Sequence, residues 1–225
     1  QLGEQPKRVF NVGGMGIENI KRNKLLTKDE FEKSIGLKLN KKNILVTFHP
    51  TTLEYKTSKK QFQELLDTIE GLKDTNIIFT KSNSDVDGRI INQMIDEYVK
   101  KNPDKSVGFT SLGQLKYLSA LKYVDIIVGN SSSGLLEAPS FKIGTINIGN
   151  RQKGRIKAAS IIDCLPNRKS INKAFKKIYS NKFQKLLKNV KNPYGDGCAS
   201  QKIIKVLKKT KIKNILKKNF YDIKF

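Results

Sequence analysis

Short apolar, β-branched runs alternate along this chain with segments of helical periodicity, and this alternation limits the possible folds more than any other feature. The runs are too apolar to leave one face in water, as expected of buried strands in a parallel sheet. They are Ile44–Phe48, Asn76–Thr80, Ser106–Phe109, Asp125–Val128, Thr145–Ile148 and Ser160–Asp163. Because parallel strands are joined by crossover helices, the pattern predicts an α/β fold, a parallel sheet flanked by helices.

Helical periodicity predicts the elements that cover this sheet. The cover helices are Ser58–Ile69, Ile90–Val99 and Leu112–Leu121. Thr27 and Glu30 have the spacing of a capping box, and the helix that they begin is predicted to stop at Gly36. From Ser170 onward the chain is predicted to be helical without further strands, and its final helix is Ala199–Lys217.

The 225 residues carry a formal net charge of +24, most of it from lysine. A charge of this size is compatible with a nucleic-acid-binding module, which would bind any duplex through its phosphates. The lysines are densest in the last quarter of the chain, where they alternate with apolar residues and favour a solvated helix face instead. With a single histidine, Cys164 and Cys198 cannot form a structural zinc site, so both are predicted to be reduced thiols and no metal is expected.

The ends of the chain also carry information. Gln1 stands where an initiator methionine would be expected, so the sequence is interpreted as part of a longer protein. No apolar run has the length of a membrane span and no signal peptide is present at this start, so a cytoplasmic protein is expected.

Ligands of open parallel sheets bind at the carboxyl ends of the strands, so the loops that follow the strands are the candidate site. The only histidine, His49, follows the first strand, where it would bind phosphate or transfer a proton. A polar loop at 81–89 follows the second strand and would at least cap the next helix. After the fourth strand, the small residues of Gly129–Gly134 open a helix and bare backbone amides, as anion sites do, although simple capping is the alternative.

Two further features lie close to this turn in the sequence. Glu137 is predicted to lie two turns into the same helix, where a carboxylate can accept hydrogen bonds from ribose hydroxyls. After the fifth strand, the cations of residues 151–155 can donate charge-assisted hydrogen bonds to phosphate, and we expect them to face the serine turn. Near the start, Gly13-Gly14-Met15-Gly16 follows a predicted short strand but lacks the third glycine of the dinucleotide motif, which makes it a weak signal.

Taken in chain order, these motifs resemble the C-terminal half of hydrolysing UDP-N-acetylglucosamine 2-epimerases of bacterial sialic-acid and legionaminic-acid biosynthesis. The residues that carry the resemblance are Val12-Gly13, Thr47-Phe48-His49-Pro50, Gly129-Asn130-Ser131-Ser132-Ser133-Gly134 with Glu137, Arg151-Gln152-Lys153-Gly154-Arg155 and Tyr194-Gly195-Asp196-Gly197. The resemblance implies a glycosyltransferase-B-like enzyme of two Rossmann-like domains. Residues 1–225 would be its UDP-binding C-terminal domain, with a helical segment from about 170, and its N-terminal catalytic domain would be absent.

The same resemblance implies the site and the reaction. UDP would be bound by His49, Asn83, Ser131, Ser132, Glu137 and Arg151, with the serines and Arg151 on the phosphates, Glu137 on the ribose and His49 as the one candidate catalytic residue. UDP would leave anti to the C2 proton of UDP-N-acetylglucosamine, and water would add to the resulting glycal to give N-acetylmannosamine. No cofactor is implied. Because the proton-transferring acids belong to the other domain, the chain alone is expected to be inactive, and the full-length protein is expected to form a homo-oligomer.

Several other functions remain open. Relatives in the implied family act on diacetamido sugars, so the substrate is either UDP-N-acetylglucosamine or a UDP-diacetamido-trideoxyhexose. A UDP-sugar glycosyltransferase would use a similar donor domain but would transfer the sugar to an acceptor. A serine hydrolase is disfavoured because Gly129-x-Ser131-x-Ser133 lacks the last glycine of a nucleophile elbow. The nucleic-acid-binding module would bind duplex rather than UDP.

Overall fold

The computed structural model describes residues 2–51, 57–83, 87–211 and 219–223. Its strands are β1 Lys42–Thr47, β2 Thr75–Thr80, β3 Ser106–Phe109, β4 Ile126–Gly129, β5 Gly144–Ile148 and β6 Ile161–Cys164. They form one parallel sheet in the order β3-β2-β1-β4-β5-β6. The order reverses between β1 and β4, as in doubly wound sheets. The predicted α/β class is confirmed, and each predicted strand lies within two residues of its observed bounds.

Burial differs between the centre and the margins of the sheet. Every residue of β2, β4 and β5 is buried, whereas β3 and β6 are only partly buried. The prediction that all six strands lack an exposed face is therefore wrong for these two. Both are edge strands, which have a neighbour on one side only and so meet solvent on the other.

Helices connect the strands and cover both faces of the sheet. Between residues 23 and 193 they are α2 Lys28–Ile35, α3 Ser58–Glu70, α4 Gly88–Lys101, α5 Gly113–Tyr123, α6 Ser133–Leu136, α7 Arg168–Ile178 and α8 Asn181–Leu187, with a short 3₁₀ turn at Ala138–Phe141. The other described residues form α1 Met15–Arg22, α9 Ala199–Lys209 and a 3₁₀ turn at Pro6–Arg8. The capping box of Thr27 and Glu30 is present, and α2 ends at Gly36 in the left-handed conformation, as predicted. The described helices are too short or too polar to cross a membrane.

The final helix is shorter than predicted. It ends at Lys209 because Thr210 has an extended backbone, and the predicted continuation over 212–217 lies outside the described residues.

Residues 23–193 form one of two compact units. Its apolar core lies where α3, α4 and α7 cover the sheet. Phe48 and Phe62 pack with ring centroids 5.6 Å apart, and Phe79 and Tyr98 with centroids 5.5 Å apart. Full burial of such a side chain contributes about 1.5–3 kcal/mol to stability. This core fixes the strand ends from which the candidate site is built.

The other unit comprises the described residues of 1–22 and 194–225. Within it, α1 packs on α9, and the buried Glu18 accepts hydrogen bonds from the backbone and the hydroxyl of Ser200. The short strand predicted ahead of Gly13 is wrong. Val9 and Phe10 are 65% and 54% exposed and pair with no strand in the described residues, so they lack the burial that a core strand requires.

Candidate functional site

The carboxyl ends of β1, β2, β4 and β5 meet along one margin of the sheet, called here the C-terminal edge. Thr47, at the end of β1, lies opposite Thr80 on one side and Gly129 on the other. The loops that follow these strands are therefore neighbours in space, although they are far apart in the sequence. They carry every site residue that the sequence predicts.

The loops after β1 and β2 meet at the imidazole of His49. Its Nδ1 atom lies 3.2 Å from Oδ1 of Asn83 and 3.3 Å from Oγ of Ser82. The loop after β2 is itself held to α4, because Ser82 N–H donates to Oδ1 of Asn92 at 2.7 Å. His49 and Asn83 thus lie together, with His49 half-buried and Asn83 exposed.

Gly129 ends β4 with φ +133°, and a β-carbon at this position would collide with the carbonyl oxygen of Thr47. Only glycine allows β4 to approach β1 this closely. The next residue, Asn130, is 1% exposed, and its carboxamide pairs with the backbone of His49 in both directions. His49 N–H donates to Asn130 Oδ1 at 2.8 Å, and Asn130 Nδ2 donates to the His49 carbonyl at 2.8 Å.

The serine turn that follows is only partly buried. Within the described part of the chain, the backbone N–H groups of Ser131 and Ser132 donate to no protein acceptor. Ser133 N–H is turned toward the Ser131 hydroxyl at 3.4 Å, and the Tyr117 hydroxyl donates to Ser133 Oγ at 2.6 Å. The turn therefore retains two amide donors and two serine hydroxyls for an anion.

The helix that follows this turn differs from the prediction. It is the single turn α6, so Glu137 does not lie two turns into a helix but directly follows α6. Pro139 has no N–H with which to continue the helix, and the chain passes into a 3₁₀ turn. The dipole of so short a helix is small, so an anion here would depend on individual amides and cations.

Glu137 is half-buried and lies near Tyr117. Burial raises the pKa of the Tyr117 hydroxyl, the hydrogen bond with Ser133 opposes this, and the Glu137 carboxylate raises the pKa further. Tyr117 therefore stays protonated and keeps its hydrogen bond to the serine turn at any physiological pH.

The loop after β5 reaches the same place. Arg151 Nη1 donates to the carbonyl oxygen of Asn130 at 3.1 Å, and Gln152 Nε2 donates to the same oxygen at 2.8 Å. Gln152 is 1% exposed, whereas Arg151, Lys153 and Arg155 are exposed. The expectation that this cationic loop faces the serine turn is confirmed.

Four contributors are absent from the predicted set of site residues. Ser82, Tyr117, Asn130 and Gln152 hold the others in place. Asn130 and Gln152 lie inside motifs that the sequence had singled out, so their burial is the only information that was lacking. Ser82 lies in the polar loop at 81–89, but its residue type does not distinguish it from its polar neighbours there, and nothing in the sequence around Tyr117 points to a role in the site.

The geometry can be set against known proteins. The profile of the UDP-N-acetylglucosamine 2-epimerase family matches residues 1–208. The chain is 45% identical to a GDP/UDP-N,N'-diacetylbacillosamine 2-epimerase (hydrolyzing) of Campylobacter jejuni, over 99% of this chain and 58% of that protein. It is 38% identical to the polysialic acid biosynthesis protein P7 of Escherichia coli, over 99% of this chain and 57% of that protein.

Among solved structures, a UDP-GlcNAc 2-epimerase of Methanocaldococcus jannaschii in complex with UDP-GlcNAc and UDP superposes with a TM-score of 0.69 at 20% identity, over 92% of this chain and 56% of that one. At this identity the likeness shows the fold alone, which is glycosyltransferase-B-like. The chain thus spans less than two thirds of the length of these relatives. The family match and the two sequence relatives establish that the chain belongs to the UDP-N-acetylglucosamine 2-epimerase family.

Proposed function

We propose that this chain is the nucleotide-binding half of a hydrolysing 2-epimerase that acts on a UDP-linked acetamido sugar. The observation that carries the proposal is the meeting of two loops at Asn130. Arg151, an exposed residue, donates to the Asn130 carbonyl, and the next two residues in the chain, Ser131 and Ser132, have backbone N–H groups with no acceptor among the described residues. A pyrophosphate needs such a mixture of a cation and amide donors.

In this proposal each loop of the C-terminal edge has one task. Ser131, Ser132 and Arg151 bind the diphosphate and stabilise the charge that develops on it as it leaves the sugar. Glu137 accepts hydrogen bonds from the ribose. His49 and Asn83 lie beside the diphosphate and the sugar.

The proton chemistry would be supplied elsewhere. Removal of the C2 proton needs a positioned carboxylate base. Apart from Glu137, which is assigned to the ribose, none of the described residues assigned to this site is acidic. We therefore place the proton-transferring acids in an N-terminal domain of the full-length protein and expect the 225-residue chain alone to bind UDP without turnover.

Two substrates fit the proposal. The relative with 45% identity carries the name of N,N'-diacetylbacillosamine, whereas a relative of Neisseria meningitidis named UDP-N-acetylglucosamine 2-epimerase is 30% identical over 72% of this chain. This difference favours the diacetamido sugar over UDP-N-acetylglucosamine. Incubation of the full-length protein with each UDP-sugar in turn, followed by identification of the released sugar, decides between them. Transfer of the sugar to an acceptor rather than to water would instead identify a glycosyltransferase.

UDP binding itself is tested on the chain as it stands. UDP is expected to raise the thermal midpoint by mass action, and Glu137→Ala and Ser131→Ala are expected to reduce that rise. Glu70→Ala is the matched control, because Glu70 is equally a glutamate but lies at the end of α3, where it pairs with Lys105. Equal shifts with cytidine or adenosine diphosphate would contradict the proposal. So would tight duplex binding at physiological salt in the absence of UDP binding, which would identify a nucleic-acid-binding module.

A further inference from the structure

One buried side chain joins the parts of the C-terminal edge. Through its carboxamide, Asn130 forms two hydrogen bonds with the backbone of His49, each of 2.8 Å. Through its own carbonyl oxygen, it accepts from Arg151 and from Gln152. Asn130 thus contacts the loops after β1 and β5 while belonging to the loop after β4.

The same kind of pairing occurs near the opposite end of β1. Asn40 N–H donates to Asn43 Oδ1 at 3.0 Å, and Asn43 Nδ2 donates to the Asn40 carbonyl at 3.0 Å. Asn43 is 5% exposed and Asn130 is 1% exposed. The two asparagines have the same chemistry, the same number of side-chain hydrogen bonds to backbone and similar burial. They differ in what they hold, which is a turn before the sheet in one case and His49 in the other.

We propose that Asn130 is a positioning residue that fixes His49 relative to the diphosphate-binding loop of Arg151. The inference rests on the proposed function, because it assigns a role within the same UDP site. The two hydrogen bonds of the carboxamide prevent rotation of the backbone at His49, so the imidazole stays within reach of Ser82 and Asn83. Gln152 also stabilises this arrangement, because its buried side-chain amide donates a hydrogen bond to the Asn130 carbonyl. Because these hydrogen bonds do not depend on the ligand, the site has its binding geometry before the ligand binds.

The test compares Asn130→Ala with Asn43→Ala in the 225-residue chain. Each variant removes a pair of hydrogen bonds from a buried asparagine, so both are expected to lower the thermal midpoint. His49 is the only histidine, so its ring gives a single set of imidazole resonances in the NMR spectrum. Asn130→Ala is expected to shift these resonances and to weaken UDP binding about fivefold, the loss expected for one hydrogen bond. Asn43→Ala is expected to change neither.

The outcomes separate a positioning role from a merely structural one. If Asn130→Ala lowers the midpoint as Asn43→Ala does and leaves both the resonances and the UDP affinity unchanged, the inference is overturned. Shifted resonances with unchanged UDP affinity would overturn it as well. If the wild-type chain binds no UDP, the proposed function fails, and the His49 resonances alone then decide whether Asn130 positions this ring.

A second variant covers the case in which Asn130→Ala does not fold. Gln152→Met keeps the length of the side chain and removes one donor to the Asn130 carbonyl. It is expected to shift the His49 resonances in the same direction as the loss of Asn130, by a smaller amount. Unchanged resonances in folded Gln152→Met would contradict the inference.

Discussion

The two ends of the central strands carry buried polar side chains, but the two groups differ in what they leave exposed. At the N-terminal edge, Asn43 pairs with Asn40, Asn43 N–H donates to Asp125 at 2.6 Å, and Asn76 donates to the Lys38 carbonyl at 2.6 Å. These contacts satisfy the backbone within the protein. The density of polar residues alone therefore does not identify a ligand site.

At the C-terminal edge, buried amide side chains also bind to backbone, but the consequence is different. Asn130 and Gln152 are as buried as Asn43, but the loops that they join also carry groups that are exposed or have no acceptor among the described residues. The guanidinium of Arg151 is exposed, and the N–H groups of Ser131 and Ser132 have no acceptor among the described residues. What distinguishes a site is the set of donors that remains after the backbone is satisfied.

The largest expected effect tests how closely the C-terminal edge is packed. Gly129→Ala would place a methyl group against the Thr47 carbonyl at φ +133°, and we expect it to cost about 3 kcal/mol or more of the free energy of unfolding. Gly36→Ala is the control, since Gly36 has φ +67° with nothing within 4 Å of an added β-carbon. Backbone strain alone then costs about 1–2 kcal/mol.

Chemical denaturation of both variants measures the difference. Equal losses of stability would show that the approach of β4 to β1 is not tight, and the comparison of the two edges would lose its structural basis.

The second prediction concerns the charges at the two edges. Arg151→Ala is expected to weaken UDP binding about tenfold to a hundredfold, since hydrogen bonds to charged groups contribute about 1.5–3 kcal/mol. Its stability should change little, because Arg151 is exposed. Lys42→Ala removes one positive charge at the N-terminal edge, where the ammonium lies 4.7 Å from the ring centroid of Tyr179. We expect it to leave UDP affinity unchanged.

Calorimetric titration with UDP at several salt concentrations measures both variants. An equal loss of UDP affinity in Arg151→Ala and Lys42→Ala would mean that the net charge of +24 attracts UDP nonspecifically. The site at the C-terminal edge would then not be needed to explain binding.

The sheet could be predicted from the sequence because buried parallel strands are nearly continuous apolar runs, and all six were found. The partial exposure of β3 and β6 could not be predicted, since an edge position depends on strand order rather than on composition. The one-turn length of α6 was missed although Pro139 was visible. The sequence pattern favoured a longer helix, and the proline's missing donor decided against it.

The candidate site was predictable as a set of loops but not as a network. Strand ends of a parallel sheet must meet, so His49, Asn83, the serine turn and Arg151 were expected to lie together. Asn130 and Gln152 were not assigned roles, because a buried amide in a loop has the same sequence pattern as an exposed one. Only the contacts of their side chains show that they support the groups around them.

The smallest effect concerns the N-terminal edge and its dependence on pH. Burial raises the pKa of Asp125 above its usual 3.8, and hydrogen bonding from the Asn43 N–H opposes this only in part. The folded protein therefore binds this proton more tightly than the unfolded chain does, so the contribution of Asp125 to stability decreases as the pH rises from 3.8 through the raised value. Asp125→Asn keeps an oxygen acceptor and cannot ionise.

The stability of Asp125→Asn relative to wild type should accordingly increase across that pH range, as measured by denaturation at a series of pH values. The exposed Asp104→Asn corrects for the loss of one negative charge from a strongly basic chain. A relative stability that falls with rising pH would show that the hydrogen bond to the carboxylate outweighs its burial. UDP affinity should be unchanged in Asp125→Asn. Asp125 precedes β4 and Asn130 follows it, so the two residues lie at opposite ends of this strand. The titration of Asp125 therefore cannot alter the donors proposed to bind the diphosphate.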